Sequence, residues 1–292
     1  MKMSEVLGLK EYIREIPFQS EAYPKELKTL SKPPEILYAV GNISLLKARK
    51  FTVVGSRRTT AAALKLGAEI CGELSQSFAL VTGVADGGDS AAVEGALQGN
   101  GRVICVLAGG FSCLPQGNYP LLKKVAERGL LLSPHAYDTP ARSFSYEYRN
   151  VLLAALGEGT LVLGAGEKSG ALITANHAKK QGKKIFAFPY PPNSYAGAGC
   201  NALIKNGAYL TENATDIFEQ MGVEKEKTAQ RDVNLSADEQ TLLQILRELG
   251  EGHITELSAR SGIPTFKAQA ILSALCVKGV AVALGGNRFA PV

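Results

Sequence analysis

The chain has 292 residues, of which 46% are hydrophobic and 20% charged, and its formal net charge is +5. This composition supports a sizeable core and excludes extensive disorder, and the length most simply fits one large domain and one small one. No apolar run approaches the ~20 residues that cross a bilayer, and the N-terminus lacks the apolar core of a signal peptide, so we expect a cytoplasmic protein. The five cysteines include no CxxC pair, which favours reduced thiols over disulfides or a metal site.

The first 50 residues predict a short N-terminal helix and a proline-punctuated lead-in. From residue 51 onward, five apolar runs alternate with helical stretches: FTVVGS, FALVTG, RVICVLAGG, TLVLGAG and KKIFAFP. Continuous apolar runs between helices are typical of a parallel sheet buried on both faces. We therefore predict an α/β fold over residues 51–221, an extended Rossmann-like, doubly wound and mostly parallel sheet. Its ligands should gather on the loops at the carboxyl ends of the strands.

Residues 222–235 are polar and predict a linker, and residues 236–292 predict a small C-terminal winged helix-turn-helix domain of three helices and a hairpin. Ser236 has the position and chemistry of a cap for the first helix. The third helix carries four apolar residues that we predict to share one face: Phe266, Ala270, Ile271 and Ala274.

The charge distribution separates the two predicted domains. Residues 236–292 hold five basic and five acidic residues, so the whole positive excess lies in residues 1–235. A polyanion should therefore bind the larger domain rather than the winged helix. The neutral winged helix fits a protein-interaction or dimer-stabilising role better, because a DNA-reading helix normally presents several basic or amide side chains.

Two loops at strand ends have the residue types of an anion site. The first is Gly55-Ser56-Arg57-Arg58, where glycine permits close approach of a ligand, serine offers a hydroxyl and two arginines can fork onto phosphate oxygens. The second contains Lys168, Ser169 and Gly170, with Thr174 following in the helix. Neither loop has a GxGxxG or GxxxxGK[ST] pattern, so we expect no dinucleotide cofactor and no ATPase activity. Taken singly, each loop is also compatible with an ordinary turn bearing solvated cations.

Two further stretches lie beside predicted helices. In Tyr146-Glu147-Tyr148-Arg149-Asn150, the arginine can meet phosphate and the tyrosines can stack on bases, although simple packing is the plainer interpretation. In residues 82–89, TGVADGGD, we interpret Asp89 as a helix N-cap rather than as a catalytic acid.

Eight fragments in chain order resemble the DprA/Smf DNA-processing family: YP…PPEILYAVGN, VVGSRR, TGVADGGDSAA, VLAGG…LP, YRN, SGALITA, FAFP and NALIKNGA. They span roughly residues 20–220. The resemblance implies a homodimer formed through the Rossmann-like domain, which binds single-stranded DNA and loads the RecA recombinase during natural transformation without catalysing a reaction. It also implies a phosphate pocket at Gly55, Ser56, Arg57, Arg149 and Asn150, together with residues 169–175 and the neighbouring Lys168.

The chain departs from the family pattern at five positions. Asp86, Gly88 and Val93 stand where the family usually has a basic residue, a bulky apolar residue and histidine. Val151 replaces the second arginine of RNR, and Cys200 replaces the threonine of GTN. Loss of an arginine and gain of an aspartate should weaken phosphate contacts, because each neutralised phosphate adds affinity.

Two alternative functions remain open from the sequence. One is a nucleotide-processing enzyme on a related Rossmann-like fold, although the PGGxGTxxE signature of nucleoside-monophosphate phosphoribohydrolases is absent from the sequence. The other is a protein-interaction or regulatory protein whose DNA pocket has been weakened by the five departures.

Overall fold

A computed structural model describes residues 9–114, 116–223 and 235–291. The chain divides into two compact units, Met1–Glu226 and Lys227–Val292, which we call the N-terminal unit and the C-terminal unit. Residues 224–234, which make up most of the predicted linker, lie outside the described residues. Within the described ranges, no helix has the length and apolar character needed to cross a bilayer.

The N-terminal unit is built on one nine-stranded sheet. Its strands are β1 (Arg14–Pro17), β2 (Ile36–Gly41), β3 (Lys50–Val54), β4 (Ala79–Thr82), β5 (Val103–Val106), β6 (Leu130–Ser133), β7 (Gly159–Val162), β8 (Lys184–Ala187) and β9 (Tyr209–Leu210). They lie in the order β1-β2-β6-β5-β4-β3-β7-β8-β9. From β6 to β9 every neighbouring pair is parallel, whereas β2 pairs antiparallel with both β1 and β6. The predicted Rossmann-like, mostly parallel sheet is confirmed.

Helices cover both faces of this sheet. They are α1 (Lys25–Lys28), α2 (Ala61–Ser77), α3 (Gly88–Gln98), α4 (Tyr119–Arg128), α5 (Ser143–Leu156), α6 (Gly170–Lys180), α7 (Ala198–Lys205) and α8 (Ala214–Met221). Apolar side chains of α2, α3, α4 and α8 form the core on one face, and those of α1, α5 and α6 form the core on the other. Burial on both faces explains why β4 and β5 are apolar along nearly their whole length.

The sheet is larger than the sequence predicts. The segment predicted as a lead-in contributes β1 and β2, and the described part of the predicted N-terminal helix is a single 3₁₀ turn, Leu9–Tyr12, that leads directly into β1. The patterns also did not predict β6 and β9. β9 has only two residues and gives no periodic signal, whereas β6 is a short, fully buried apolar run of the same kind as β4 and β5.

The strand order locates the ligand-binding edge. After β3 the chain moves outward through β4, β5 and β6, and it then returns to the other side of β3 as β7. The loops that follow β3 and β7 therefore leave the carboxyl edge at the point where the winding reverses. In open α/β sheets, this switch point is where ligands bind.

The C-terminal unit contains α9 (Ala237–Leu249), β10 (Gly252–His253), α10 (Ile254–Ser261), α11 (Thr265–Val277), β11 (Ala281–Gly285) and β12 (Arg288–Pro291). These helices and the hairpin follow the order predicted from the sequence, and its sheet has the order β10-β12-β11. Ser236 caps α9 as predicted: its hydroxyl accepts from Glu239 N at 3.3 Å, and the Glu239 carboxylate accepts from Ser236 N at 2.7 Å.

The predicted apolar face of α11 is wrong. Phe266 is 81% exposed, and the fully buried residues are Ala268, Leu272 and Leu275. Apolar residues occur on nearly every side of this helix, so the pattern does not select the face that meets the core.

Candidate functional site

A pocket of about 510 Å³ opens at the carboxyl edge, between the loops that follow β3 and β7. All the site residues predicted from the sequence line it: Gly55, Ser56, Arg57, Arg58, Arg149, Asn150, Lys168, Ser169, Gly170 and Thr174. The pocket thus joins two loops that are more than 100 residues apart in the chain, together with one face of α5. Four cationic side chains and one carboxylate, that of Asp89, line its wall.

Backbone contacts hold the loop after β3 in place. Ser56 N donates to the carbonyl of Gly164, in the loop after β7, at 2.8 Å. The Ser56 hydroxyl accepts from Arg58 N at 3.1 Å. Gly55 packs against the backbone of Gly88, and a Cβ atom on Gly55 would lie 2.7 Å from Gly88 Cα. These contacts fix the loop, while the side chains of Arg57 and Arg58 remain exposed to a ligand.

The opposite wall is the start of α6. Ser169 caps this helix by accepting from Ala171 N at 3.3 Å. Asn150 on α5 donates to the Gly170 carbonyl at 3.4 Å and so joins the two helices beside the pocket. The helix N-terminus carries a partial positive charge, and the exposed Lys168 adds a full charge beside it. This wall is chemically suited to an anion.

The floor contains a buried ion pair. Arg149 and Asp89 are only 7% and 5% exposed, and Arg149 Nη1 lies 3.8 Å from Asp89 Oδ2. Arg149 Nη1 also donates to the Val106 carbonyl at 3.4 Å, and Asp89 Oδ2 accepts from Ala85 N at 3.3 Å. Burial raises the pKa of the Asp89 carboxyl, and the Arg149 guanidinium opposes that rise.

The interpretation of Asp89 as a helix N-cap is therefore wrong. The cap position of α3 is Gly87, with φ of +83°, and Asp89 lies inside the first turn. Its carboxylate faces Arg149 instead of the free N–H groups of the helix. Glycine at position 83 makes room for the pair, because a Cβ atom there would collide with Arg149 Nη1 and Asp89 Oδ2.

Two buried polar atoms in the pocket wall lack a partner. Arg149 Nε and Thr174 Oγ1 make no hydrogen bond with any described residue. Buried polar groups in native proteins are nearly always paired with protein, water or ligand. Both residues line the pocket.

Two tyrosines complete the pocket, and the sequence indicated only one of them. Tyr146, on α5, is 45% exposed, and Tyr195, in the loop between β8 and α7, is 70% exposed. Nothing in the segment PYPPNSYAG marked Tyr195 as a site residue. Only the fold brings this loop to the pocket.

The residues at which the chain departs from the family pattern lie in different surroundings. Asp86 is exposed and lines a neighbouring pocket of about 240 Å³ that shares Arg57 and Arg149 with the first. Val93 is a core residue, and Val151 is half-buried on α5. Only Asp86 among these three adds a charge near the cationic residues.

Fold and site together define a Rossmann-like protein with a cationic pocket at the switch point of its sheet. The sequence model of DNA recombination-mediator protein A matches residues 14–222. The chain belongs to this family, and the resemblance to DprA/Smf DNA-processing proteins is confirmed.

Individual relatives agree with this assignment. The chain is 38% identical to DNA processing protein DprA of Bacillus subtilis over 218 residues, which cover 72% of this chain and 71% of the relative. It is 34% identical to a putative DprA of Mycobacterium tuberculosis, over 87% of this chain and 68% of the relative.

Solved structures give the same result. DprA from Streptococcus pneumoniae superposes with a TM-score of 0.69 at 29% identity, over 75% of this chain and 78% of that one. DNA processing protein A from Helicobacter pylori, which has a single-stranded DNA binding mode, superposes with a TM-score of 0.65 at 27% identity, over 72% of this chain and 95% of that one.

Proposed function

We propose that this protein binds single-stranded DNA in the pocket at the carboxyl edge of its sheet. The observation that carries the proposal is the convergence of four cations and the α6 N-terminus on a pocket with buried, unpartnered donors. Arg57, Arg58 and Lys168 form no ion pair with a carboxylate in the described parts of the chain. Unpaired cations beside a helix N-terminus match the charge and oxygen geometry of phosphate.

The charges of the C-terminal unit support placing the strand on the N-terminal unit. Within residues 236–291, the part of this unit after the predicted linker that the structure describes, four of the five basic residues already contact a carboxylate of the same unit. The pairs are Arg260–Glu256 at 3.2 Å, Lys267–Asp238 at 2.6 Å, Lys278–Glu239 at 2.7 Å and Arg288–Glu251 at 2.7 Å. A phosphate would have to compete with these carboxylates, so we assign the C-terminal unit an accessory role.

Further parts of the proposal rest on the family resemblance. In these parts, the protein is a homodimer joined through the N-terminal unit, and it acts in the cytoplasm without catalysing a reaction. It also delivers bound strands to the RecA recombinase. Membership of the DNA-processing family supports them, whereas the single-stranded DNA binding of the Helicobacter pylori relative supports only the binding of the strand.

The test is a fluorescence-anisotropy titration of the full chain with a labelled oligonucleotide and with a duplex of the same length at low salt. We expect sequence-tolerant binding to the single strand, and Arg57→Ala should weaken it markedly. Equal binding by the variant and the parent at matched salt would refute the pocket assignment. The oligonucleotide should be recovered intact after incubation, and cleavage or base release would favour the enzyme alternative.

A further inference from the structure

Tyr195 is a large aromatic side chain that the fold leaves open to solvent beside the phosphate-type residues. It is 70% exposed, yet the next residue, Ala196, is buried. The ring lies close to Gly166, where a Cβ atom would be in ordinary van der Waals contact with Tyr195 Cε1, 3.6 Å away. The ring thus rests on the loop that follows β7 and presents much of its surface to the pocket mouth.

The loop that carries Tyr195 is held by hydrogen bonds. Tyr190 N donates to Asn201 Oδ1 at 3.0 Å, and Asn201 Nδ2 donates to the Tyr190 carbonyl at 2.9 Å. The Tyr190 hydroxyl donates to the Leu163 carbonyl at 2.5 Å, and Gly197 N donates to the Ser194 carbonyl at 3.1 Å. A ring on a fixed loop loses little conformational freedom when a ligand packs against it.

Arg58 adds a cation to the same ring. Its guanidinium carbon lies over the ring of Tyr195, 5.8 Å from the centroid. Both residues line the pocket, so an aromatic surface and a phosphate-binding cation are adjacent there. A nucleotide unit has the matching pair of features, a flat base beside a charged phosphate.

We propose that Tyr195 stacks on a nucleobase of the bound strand next to the phosphate held by Arg58, and that this stacking helps the site select unpaired strands over duplexes. The inference rests on the proposed function and adds the base-contacting residue. In a duplex the base faces are covered by neighbouring bases, so only an unpaired base can present a face to the ring.

The experiment compares the full-length parent with Tyr195→Ala and Tyr195→Phe on two labelled oligonucleotides of equal length, one with normal bases and one with abasic residues throughout. On the normal strand, Tyr195→Ala should weaken binding by about 5- to 150-fold, the range that corresponds to ~1–3 kcal/mol per stacked base. Tyr195→Phe should bind like the parent. On the abasic strand, the parent and Tyr195→Ala should bind equally. Tyr12→Ala removes another exposed tyrosine, which does not line the pocket, and serves as the matched control.

Each outcome distinguishes the inference from the proposed function. If the parent binds neither oligonucleotide, the proposed function fails. If the parent binds and Tyr195→Ala binds the normal strand equally well, the stacking inference is overturned. An equal loss on the normal and abasic strands would also overturn it, because Tyr195 would then act only by holding Arg58. Thermal melting of each variant checks that it is folded, and Tyr195→Leu provides a second variant of comparable bulk without an aromatic ring.

Discussion

The salt dependence of binding measures how many of the four pocket cations meet phosphate. For single strands, the slope of log affinity against log salt concentration is about −0.7 for each phosphate neutralised. Arg149 is already paired with Asp89, so we expect Arg57, Arg58 and Lys168 each to neutralise one phosphate. The slope is then about −2.1, and raising salt from about 50 to about 200 mM weakens binding about 20-fold. Arg57→Ala should reduce the slope to about −1.4, so the same change in salt weakens binding only about 7-fold.

The assay is anisotropy with a labelled oligonucleotide across a salt series. Arg58→Ala and Lys168→Ala should each remove a similar increment of slope. Lys124→Ala is the control, since Lys124 is an exposed lysine on α4 that does not line the pocket, and its slope should equal that of the parent. An Arg57→Ala variant that binds more weakly but keeps the parent slope would refute the reasoning, because the arginine would then act on the pocket's shape rather than on phosphate.

Three further predictions concern the buried pair and the C-terminal core. Because burial raises the pKa of Asp89, the folded state holds its proton more tightly than the unfolded state, and stability should fall as pH rises through the folded-state pKa. Asp89→Asn should remove this decline in thermal melts from about pH 4 to about pH 8, and an unchanged profile would contradict the assignment. Gly83→Ala should displace the Asp89–Arg149 pair, cost about 1–3 kcal/mol in urea unfolding and weaken DNA binding; parent-like behaviour in both assays would exclude the collision. Leu275→Ala should destabilise the C-terminal unit by about 2–5 kcal/mol in urea unfolding, whereas Phe266→Ala should change it by less than about 0.5 kcal/mol. A larger loss of stability in Phe266→Ala than in Leu275→Ala would show that the apolar face predicted from the sequence is the one that meets the core.

The sequence predicts the central sheet well because its signals are local. β3, β4, β5, β7 and β8 are apolar runs bounded by glycine or charge, and each is followed by a clear helix or turn. β2 is also an apolar run that ends in glycine, but a 3₁₀ turn rather than a long helix follows it, and β1 has only four residues, two of them charged. The places of these strands in the sheet depend on the pairing of β1 with β2 and of β2 with β6. Long-range pairing of short strands leaves little trace in the residues themselves.

The site residues that lie in loops directly after a strand were predictable from the sequence. Those whose role depends on tertiary packing were not. Arg57 and Lys168 stand in strand-end loops, and sheet topology alone brings such loops together. The roles of Asp89 and Tyr195 depend on what lies opposite them, namely Arg149 and the loop that follows β7. Residue type at either position does not reveal that neighbour, so a capping role for Asp89 was the natural but incorrect interpretation.

The contact between Gly55 and Gly88 limits how this protein can be re-engineered. With the two backbones this close, any side chain at residue 88 must push the loop that carries Ser56 and Arg57. Restoring the family's bulky apolar residue there would therefore alter the pocket before it added any contact. Asp86 has no such constraint, since it is exposed on a neighbouring turn and can be exchanged for a basic residue without moving the backbone. Of these two departures, only one can be reversed by a single substitution, and the other requires a change in its partner loop as well.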